Sequence, residues 1–246
     1  MIKPAQEIKQ LITGEDKQPY LPLANTIIEA AQPRPRLLTA IIGAPGSGKS
    51  SLAAILAELI NEMSSSEIAI VVGLDGWHYP NEYLDSHFFI QGEEKFSLRK
   101  IKGAPESFDA ITAINCLKHI KQGGEVTYPI YSRTLHNPIP NAGQMLPQHK
   151  IILCEGNYWL LNEPVWRDGI PLFDMRILIQ IEPSSLIPAL RSRHFNGGKS
   201  QEEVERQIEV DLQNGQRIIH NSAAVDIFFE RENPSSSANN AINGYR

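Results

Sequence analysis

Two kinds of residue in this sequence invite chemistry: a Lys-Ser pair that closes a glycine-rich octapeptide, and acids that end apolar runs. The octapeptide is Gly43-Ala44-Pro45-Gly46-Ser47-Gly48-Lys49-Ser50. Its spacing, G-x-x-x-x-G-K-[ST], is that of a phosphate-binding P-loop. Glycines let the backbone turn tightly enough to aim several N–H groups at one anion, and a helix starting there adds its positive end. The lysine brings a compact cation to the β- and γ-phosphates of a nucleotide, and the serine hydroxyl reaches Mg2+. The flanks agree. Leu37–Ile42 reads as a buried strand, and Leu52, Ile55, Leu56 and Leu59 share one face of a following helix whose first turn holds Ser51. Gly43 to Ser51 are therefore the expected nucleotide ligands, with ATP and Mg2+ as cofactors.

The acids are Asp75, just past the apolar run 68–74, and Glu155, just past 151–154. In an open parallel sheet, ligands bind at the carboxyl ends of the strands. Mg2+ is hard and takes oxygen ligands, so Ser50, Asp75 and Glu155 form the expected metal set. One carboxylate would also accept a proton from an attacking hydroxyl.

The elements that must position these groups alternate. Strands are expected at 37–42, 68–74, 126–131, 151–154, 175–181 and 225–229. Helices are expected at 25–31, after the P-loop to residue 60, and at 105–121, 183–195 (kinked by Pro188) and 201–214. Residues 61–67 read as a loop, 136–147 as a hairpin or flap, and 83–102 give no clear pattern. The expected fold is α/β, of the P-loop NTPase kind: a mostly parallel sheet with helices on both faces. A helical preamble (1–36, with Ile8, Leu11 and Ile12 on one face) precedes the main domain (37–232), and a Ser/Asn-rich tail (233–246) follows. Trp159, Trp166, Phe88, Phe89, Phe228 and Phe229 read as packing, His119 and His149 as solvent-facing, and Glu202 with Arg206 as an exposed i,i+4 pair.

Composition removes several classes. The chain has 246 residues, 41% hydrophobic and 21% charged, with a net charge of −5. No block of Lys and Arg provides a duplex-sized nucleic-acid footprint. Its two cysteines, Cys116 and Cys154, make neither a disulfide framework nor a Cys/His metal cluster. The polar start and the lack of a membrane-length apolar run predict a cytoplasmic protein with no membrane partner.

The stretches GAPGSGKS, DGWHYPN, KGAPESFD, PIYSRTLHNPIP and EGNYWLL, in that order, resemble the phosphoribulokinase/uridine kinase/pantothenate kinase group of P-loop small-molecule kinases. The likeness runs from about residue 37 to 229 and is strongest to compact bacterial members described as fructokinase-like or nucleoside/nucleotide kinase-like. It implies that Asp75 is the base for the acceptor hydroxyl and that Glu155 is the acid of the EG motif. It places Trp77, His78, Tyr79, Lys102, Tyr131, Arg133 and His136 toward the acceptor, with Asp109 closing the KGAPESFD motif. Asn157, beside Glu155, is an acceptor-pocket candidate or a strand-end turn residue. Arg191, Arg193 and His194 match an arginine-bearing lid, with Arg193 over the transferring group and Arg191 on the nucleotide; a planar guanidinium meets two phosphate oxygens at once. Two positions depart from the family. Ser132 stands where uridine kinases have Asp, and Arg133 where the pantothenate branch has His. A cation at 133 suits an anionic acceptor such as a polyhydroxy acid or a phosphorylated sugar, or else a surface salt bridge.

The resulting expectation is an ATP-dependent kinase acting on a small-molecule hydroxyl, with a homodimer compatible with the sequence. The rival is a regulatory or assembly P-loop ATPase that needs no acceptor. The absence of a guanine-reading N/T-K-x-D tetrapeptide argues against a GTPase switch.

Overall fold

The computed structural model describes residues 16–198 and 200–231. Ile8, Leu11 and Ile12 of the preamble, and the tail 233–246, lie outside the described residues. Five strands form the central sheet: β1 (Leu37–Ile42), β2 (Ala69–Gly73), β7 (Ile151–Glu155), β8 (Met175–Ile181) and β9 (Ile227–Arg231). Their order is β2-β7-β1-β8-β9, every pair parallel. β1 lies in the middle and is buried throughout, as a strand covered on both faces must be.

Alternation along β1 sorts the two cores. Leu37 and Ile41 face a cluster with α1 (Leu21–Ala31) and α2 (Lys49–Ser64), through Leu23, Ile27, Leu52, Ile55 and Leu56. Leu38, Ala40 and Ile42 face the other cluster, which holds Trp77, Phe108, Tyr158, Trp159 and Trp166 with α4 (Ala110–Lys121). Trp159 and Trp166 are core residues, as expected. Phe88 and Phe228 are not: they are 52% and 62% exposed, on a hairpin and on the edge strand. His149 reverses in the other sense. It is buried, because its Nδ1 accepts a hydrogen bond from the Leu146 N–H at 3.1 Å.

Several boundaries move for identifiable reasons. α2 continues through Ser64 and stops at Ser65 in the left-handed conformation; the Asn61 side chain then bonds both backbone groups of Ala69, fastening α2 to β2. The stretch 105–121 is broken into a 3-10 turn, Pro105–Ser107, and α4, because Asp109 caps the Thr112 N–H. The unread stretch 83–102 contains most of α3 (Asn81–Ser86) and a hairpin of β3 (Phe88–Gln91) and β4 (Glu94–Ser97). Residues 136–147 form the return strand of a second hairpin, β5 (Val126–Ser132) with β6 (Asn137–Met145). α5 (Pro183–Asn196) and α6 (Gln201–Asn221) follow β8, and α6 starts with a Ser200–Glu203 capping box. α6 runs well past residue 214, and the helix passes the phosphate loop at Gly215, where an added Cβ would lie 3.3 Å from that of Ala44.

Behind β1, the buried guanidinium of Arg36 donates to four carbonyl oxygens: His149 (3.0 Å), Ile120 and Gly124 (both 2.8 Å) and Leu146 (3.0 Å). It joins the end of α4 to the β6–β7 connection at the foot of the sheet. Replacing it leaves four acceptors without their donor. Arg36→Met should lose at least about 3 kcal/mol of stability, since each bond to a charged donor contributes about 1.5–3 kcal/mol. Urea unfolding checks this; a midpoint within experimental scatter of wild type would show that the carbonyls find water instead.

Candidate active site

Strand register assembles the floor of the site. Gly73 on β2, Glu155 on β7 and Ile41 on β1 lie abreast. Each chain then turns into a functional segment: the 3-10 turn Leu74–Trp77 with Asp75, the loop carrying Asn157, and the phosphate loop. Gly73 leaves the Glu155 carboxylate its present place, since a Cβ there would lie 2.9 Å from Glu155 Oε1 and the side chain would have to shift. Gly48 enters α2 with φ +90°, a conformation that L side chains rarely adopt.

In the loop, Lys49 is buried and its Nζ donates to the Gly43 and Ala44 carbonyl oxygens at 3.0 and 2.9 Å. Ser47 Oγ is buried with no hydrogen-bond partner. An orphaned hydroxyl, an inward lysine and a helix N-terminus fit an anion such as a nucleotide phosphate. Ser50 contacts Glu155 from the first turn of α2, with Ser51 next to it. No group of three or more His, Cys, Asp or Glu among the described residues could cage a metal. The available oxygens instead fit Mg2+ held by one or two side chains and phosphate oxygens.

The two acids titrate in opposite directions. Burial, then repulsion from Asp75, pushes Glu155 up to about 7, although Lys49, Arg133 and Ser50 draw it down. Burial also acts to raise Asp75, but His78, Arg193, Arg133 and Lys49 outweigh it and hold its carboxyl below the usual range. The Asp75 side chain retains 44% of its surface, so it faces the cleft rather than the core. Lys49 is lowered to about 8, chiefly by burial. The site thus presents one ionised carboxylate able to accept a proton and one readily protonated acid beside the phosphate loop.

On the other side of Asp75, two sequence motifs form a single structure. Tyr79 N–H donates to the Ser107 carbonyl at 3.0 Å and Asp109 N–H to that of Trp77 at 2.8 Å. The His78 ring lies 3.8 Å from Phe108 and 5.3 Å from Tyr131, with Nδ1 3.0 Å from the Asp75 carbonyl oxygen and 3.9 Å from its carboxylate. Burial holds the His78 pKa below its ordinary value. Burial, then Asp75, pushes Tyr131 up to about 12. Lys102 Nζ donates to Asn81 Oδ1 (2.7 Å) and the His136 carbonyl (2.9 Å), and lies 5.2 Å from the Tyr131 ring centre. Asn157 bonds Tyr158, whose hydroxyl donates to the Gly103 carbonyl at 2.5 Å.

Trp77 requires correction. It is 3% exposed, stacked on Tyr128 and edge-on to Trp159, so it supports the turn that carries Asp75 from the core and does not line the cleft. Tyr79 joins a stack with Tyr83 and His87 on and beside α3. Asp109 acts as a helix cap.

The lid is a helix pair. Leu190 on α5 packs so closely on Gly46 that a Cβ there would lie 2.8 Å away. Arg193 is exposed, and its charge acts on Lys49, Asp75 and His78. Arg191, expected on the nucleotide, makes a paired contact with Glu205 on α6 at 2.9–3.1 Å. The buried pair His194 Nε2–Asp211 Oδ2, 2.8 Å, is the second clamp. Sequence reasoning missed Asp211, whose charge reaches Lys49. The signal was available, because Asp211 adjoins the apolar stripe Val204–Ile208–Leu212. It also missed Arg217, which bonds Glu106 at 2.9 and 3.3 Å and Glu163 at 2.5 and 2.9 Å, tying α6 to the KGAPESFD segment.

Known proteins resemble this chain over most of its length. A profile of the Phosphoribulokinase / Uridine kinase family matches residues 38–231. A Schizosaccharomyces pombe protein provisionally named uridine kinase is 31% identical over 225 residues, 89% of this chain and 94% of its own. A pantothenate kinase of Bradyrhizobium sp. is 31% identical over 196 residues, and the match spans 59% of its length. A crystal structure from Silicibacter sp. TM1040, provisionally described as a fructose transport system kinase, superposes with a TM-score of 0.74 at 30% identity, over 84% of this chain and 97% of that one.

The raised Glu155 has a consequence for stability. Its folded pKa exceeds its unfolded one, so the folded state holds the extra proton between the two values. Stability from this group therefore falls as pH rises from about 4.5 to about 7 and is level above. Glu155→Gln should melt a few degrees higher than wild type at pH 8 without nucleotide, with the difference vanishing near pH 4.5. Melting scans across that range decide it; a difference independent of pH would mean that Glu155 is not the titrating group.

Proposed function

The chain belongs to the phosphoribulokinase/uridine kinase family, and on that footing we propose that it transfers the γ-phosphoryl group of Mg·ATP to a hydroxyl of a small metabolite. The observation that carries this reading is the placement of Asp75. It is an ionised, cleft-facing carboxylate, two residues past the strand position abreast of Glu155, beside a phosphate loop in the same sheet.

Lys49 and the loop N–H groups hold the β- and γ-phosphates, exchanging the Gly43 and Ala44 carbonyls for phosphate oxygens. Mg2+, when bound by Ser50 with Asp75 or Glu155, spreads the phosphate charge. The acceptor oxygen bonds to the γ-phosphorus as the bond from that phosphorus to the β–γ bridging oxygen breaks. Asp75 takes the hydroxyl proton, and the electron pair leaves with ADP. Arg193 meets the charge moving through the γ-phosphoryl oxygens, and Tyr131 and His78 form the wall against which the acceptor lies.

ADP release with Mg·ATP, measured across nucleosides, sugars, phosphosugars and hydroxy acids, tests the assignment. One acceptor should stimulate release strongly. Lys49→Ala should reduce that rate about 100- to 1000-fold, as removal of a charge-stabilising donor does. Asp75→Asn should bind ATP and lose about 100- to 10,000-fold in kcat, the span of a general base. Slow release indifferent to every acceptor would favour a regulatory ATPase instead.

A further inference from the structure

We infer that Arg217 is a positioning residue: it links the filling of the phosphate loop to the placement of the 103–109 segment, and through that segment to the turn carrying Asp75. This rests on the nucleotide reading of the loop given above. The contacts run in an unbroken series. Gly215, within α6, lies so near the loop that an added Cβ would be 3.3 Å from that of Ala44 and 3.8 Å from Pro45 Cδ. Glycine is unfavourable inside a helix, and here it permits the approach. Asn214, beside it, is buried with Nδ2 unpartnered, and so is Ser47 Oγ on the loop. Phosphate oxygens are the acceptors that such donors lack, so an occupied loop favours α6 in this position. Two residues on, Arg217 donates to Glu106 at 2.9 and 3.3 Å and to Glu163 at 2.5 and 2.9 Å. Glu106 belongs to the 3-10 turn Pro105–Ser107, and the Ser107 carbonyl accepts the Tyr79 N–H at 3.0 Å. The Asp109 N–H donates at 2.8 Å to the carbonyl of Trp77, which shares a 3-10 turn with Asp75.

The guanidinium does what packing alone would not. Its Nη2 lies 2.9 Å from Glu106 and 2.5 Å from Glu163, so one cation holds two acids that would otherwise repel. The planar fork suits this, since it meets several carboxylate oxygens at once. Glu163 and its neighbours keep other ties to the helix. Asn221 Nδ2 donates to Glu163 Oε1 at 2.9 Å, the Asn162 N–H donates to the Asn221 carbonyl at 2.7 Å, and Leu161 bridges to Ser222. Ile218 adds a fully buried anchor. The end of α6 therefore stays seated without Arg217, while the 105–107 turn loses its charged hold on the helix. A purely structural arginine would alter that turn equally with the loop filled or empty; a positioning one alters the turn's response to filling.

The test is amide hydrogen exchange in the full chain, with and without Mg2+ and a nonhydrolysable ATP analogue. In wild type the nucleotide should slow exchange in the loop, 43–51, and also at the hydrogen-bonded amides of Gly103, Ser107 and Asp109. The second effect should be about 5- to 150-fold, the ordinary span of coupling between two sites. Arg217→Gln should keep the protection of the loop and lose that of the segment, and Arg217→Lys, with charge but no fork, should recover part of it. Glu106→Ala spares the Glu163 contact, should repeat the loss, and decides the matter where Arg217→Gln does not fold. The double variant should lose no more than either single one. An indifferent segment in wild type, or a response that survives either variant, overturns the inference. A loop that the nucleotide leaves unprotected overturns it together with the nucleotide reading, whereas a protected loop beside an indifferent segment overturns it alone. Linked protection without acceptor-stimulated ADP release leaves the coupling standing and the kinase reading failed. With a stimulating acceptor, Arg217→Gln should lower kcat by a larger factor than it raises the Kd for nucleotide.

Discussion

The carboxylate of Glu155 sits where three parallel strands end abreast, and the rest of the site is arranged around it. A buried acid is costly unless something answers its charge. Here Lys49, Arg133 and the Ser50 hydroxyl do so in part, while Asp75 opposes. Glycine at position 73 of β2 leaves it room in this position. The same carboxylate keeps some positive charge on a lysine that burial would otherwise neutralise. Two unfavourable burials thus moderate each other at the point where a phosphate chain and its metal would complete the neutralisation.

Around that floor, the proposed acceptor wall is built by cross-bracing. Residues 77–79 and 107–109 exchange backbone bonds, Trp77 and Trp159 support them from the core, and Lys102 reaches across to the hairpin tip. Such bracing holds His78, just past the turn that follows β2, and Tyr131, near the end of β5, beside Asp75. Arg36 performs the corresponding task at the opposite end of the sheet, where no ligand contributes.

Much of this was legible in the sequence because it depends on local, repeated patterns. Buried parallel strands are continuous apolar runs, so residues 37–42 and 151–154 declared themselves, and the strand-end rule then singled out Asp75 and Glu155. The phosphate loop is a short motif with its own geometry. What stayed hidden depends on pairing across long separations. The hairpin within 83–102 alternates poorly, since Phe88 and Ile90 are exposed. Trp77 stands inside a substrate motif, and only the packing of Tyr128 and Trp159 against it shows that it faces inward. Arg191 and Glu205 are 14 residues apart on different helices, so helical spacing offered Glu202 and Arg206 while the third dimension supplied another pair.

The joined helices α5 and α6 have a cluster of their own, Leu190, Val204 and Ile208, separate from the two cores that hold the sheet. Units with their own small core open at lower free energy than the body they rest on. Because Leu190 lies on Gly46 and Gly215 on Ala44, that unit leans on the loop that would grip the phosphates. A nucleotide seated there would be felt as mechanical support by the helices above it, so the filling of the loop and the closing of the roof would become one event.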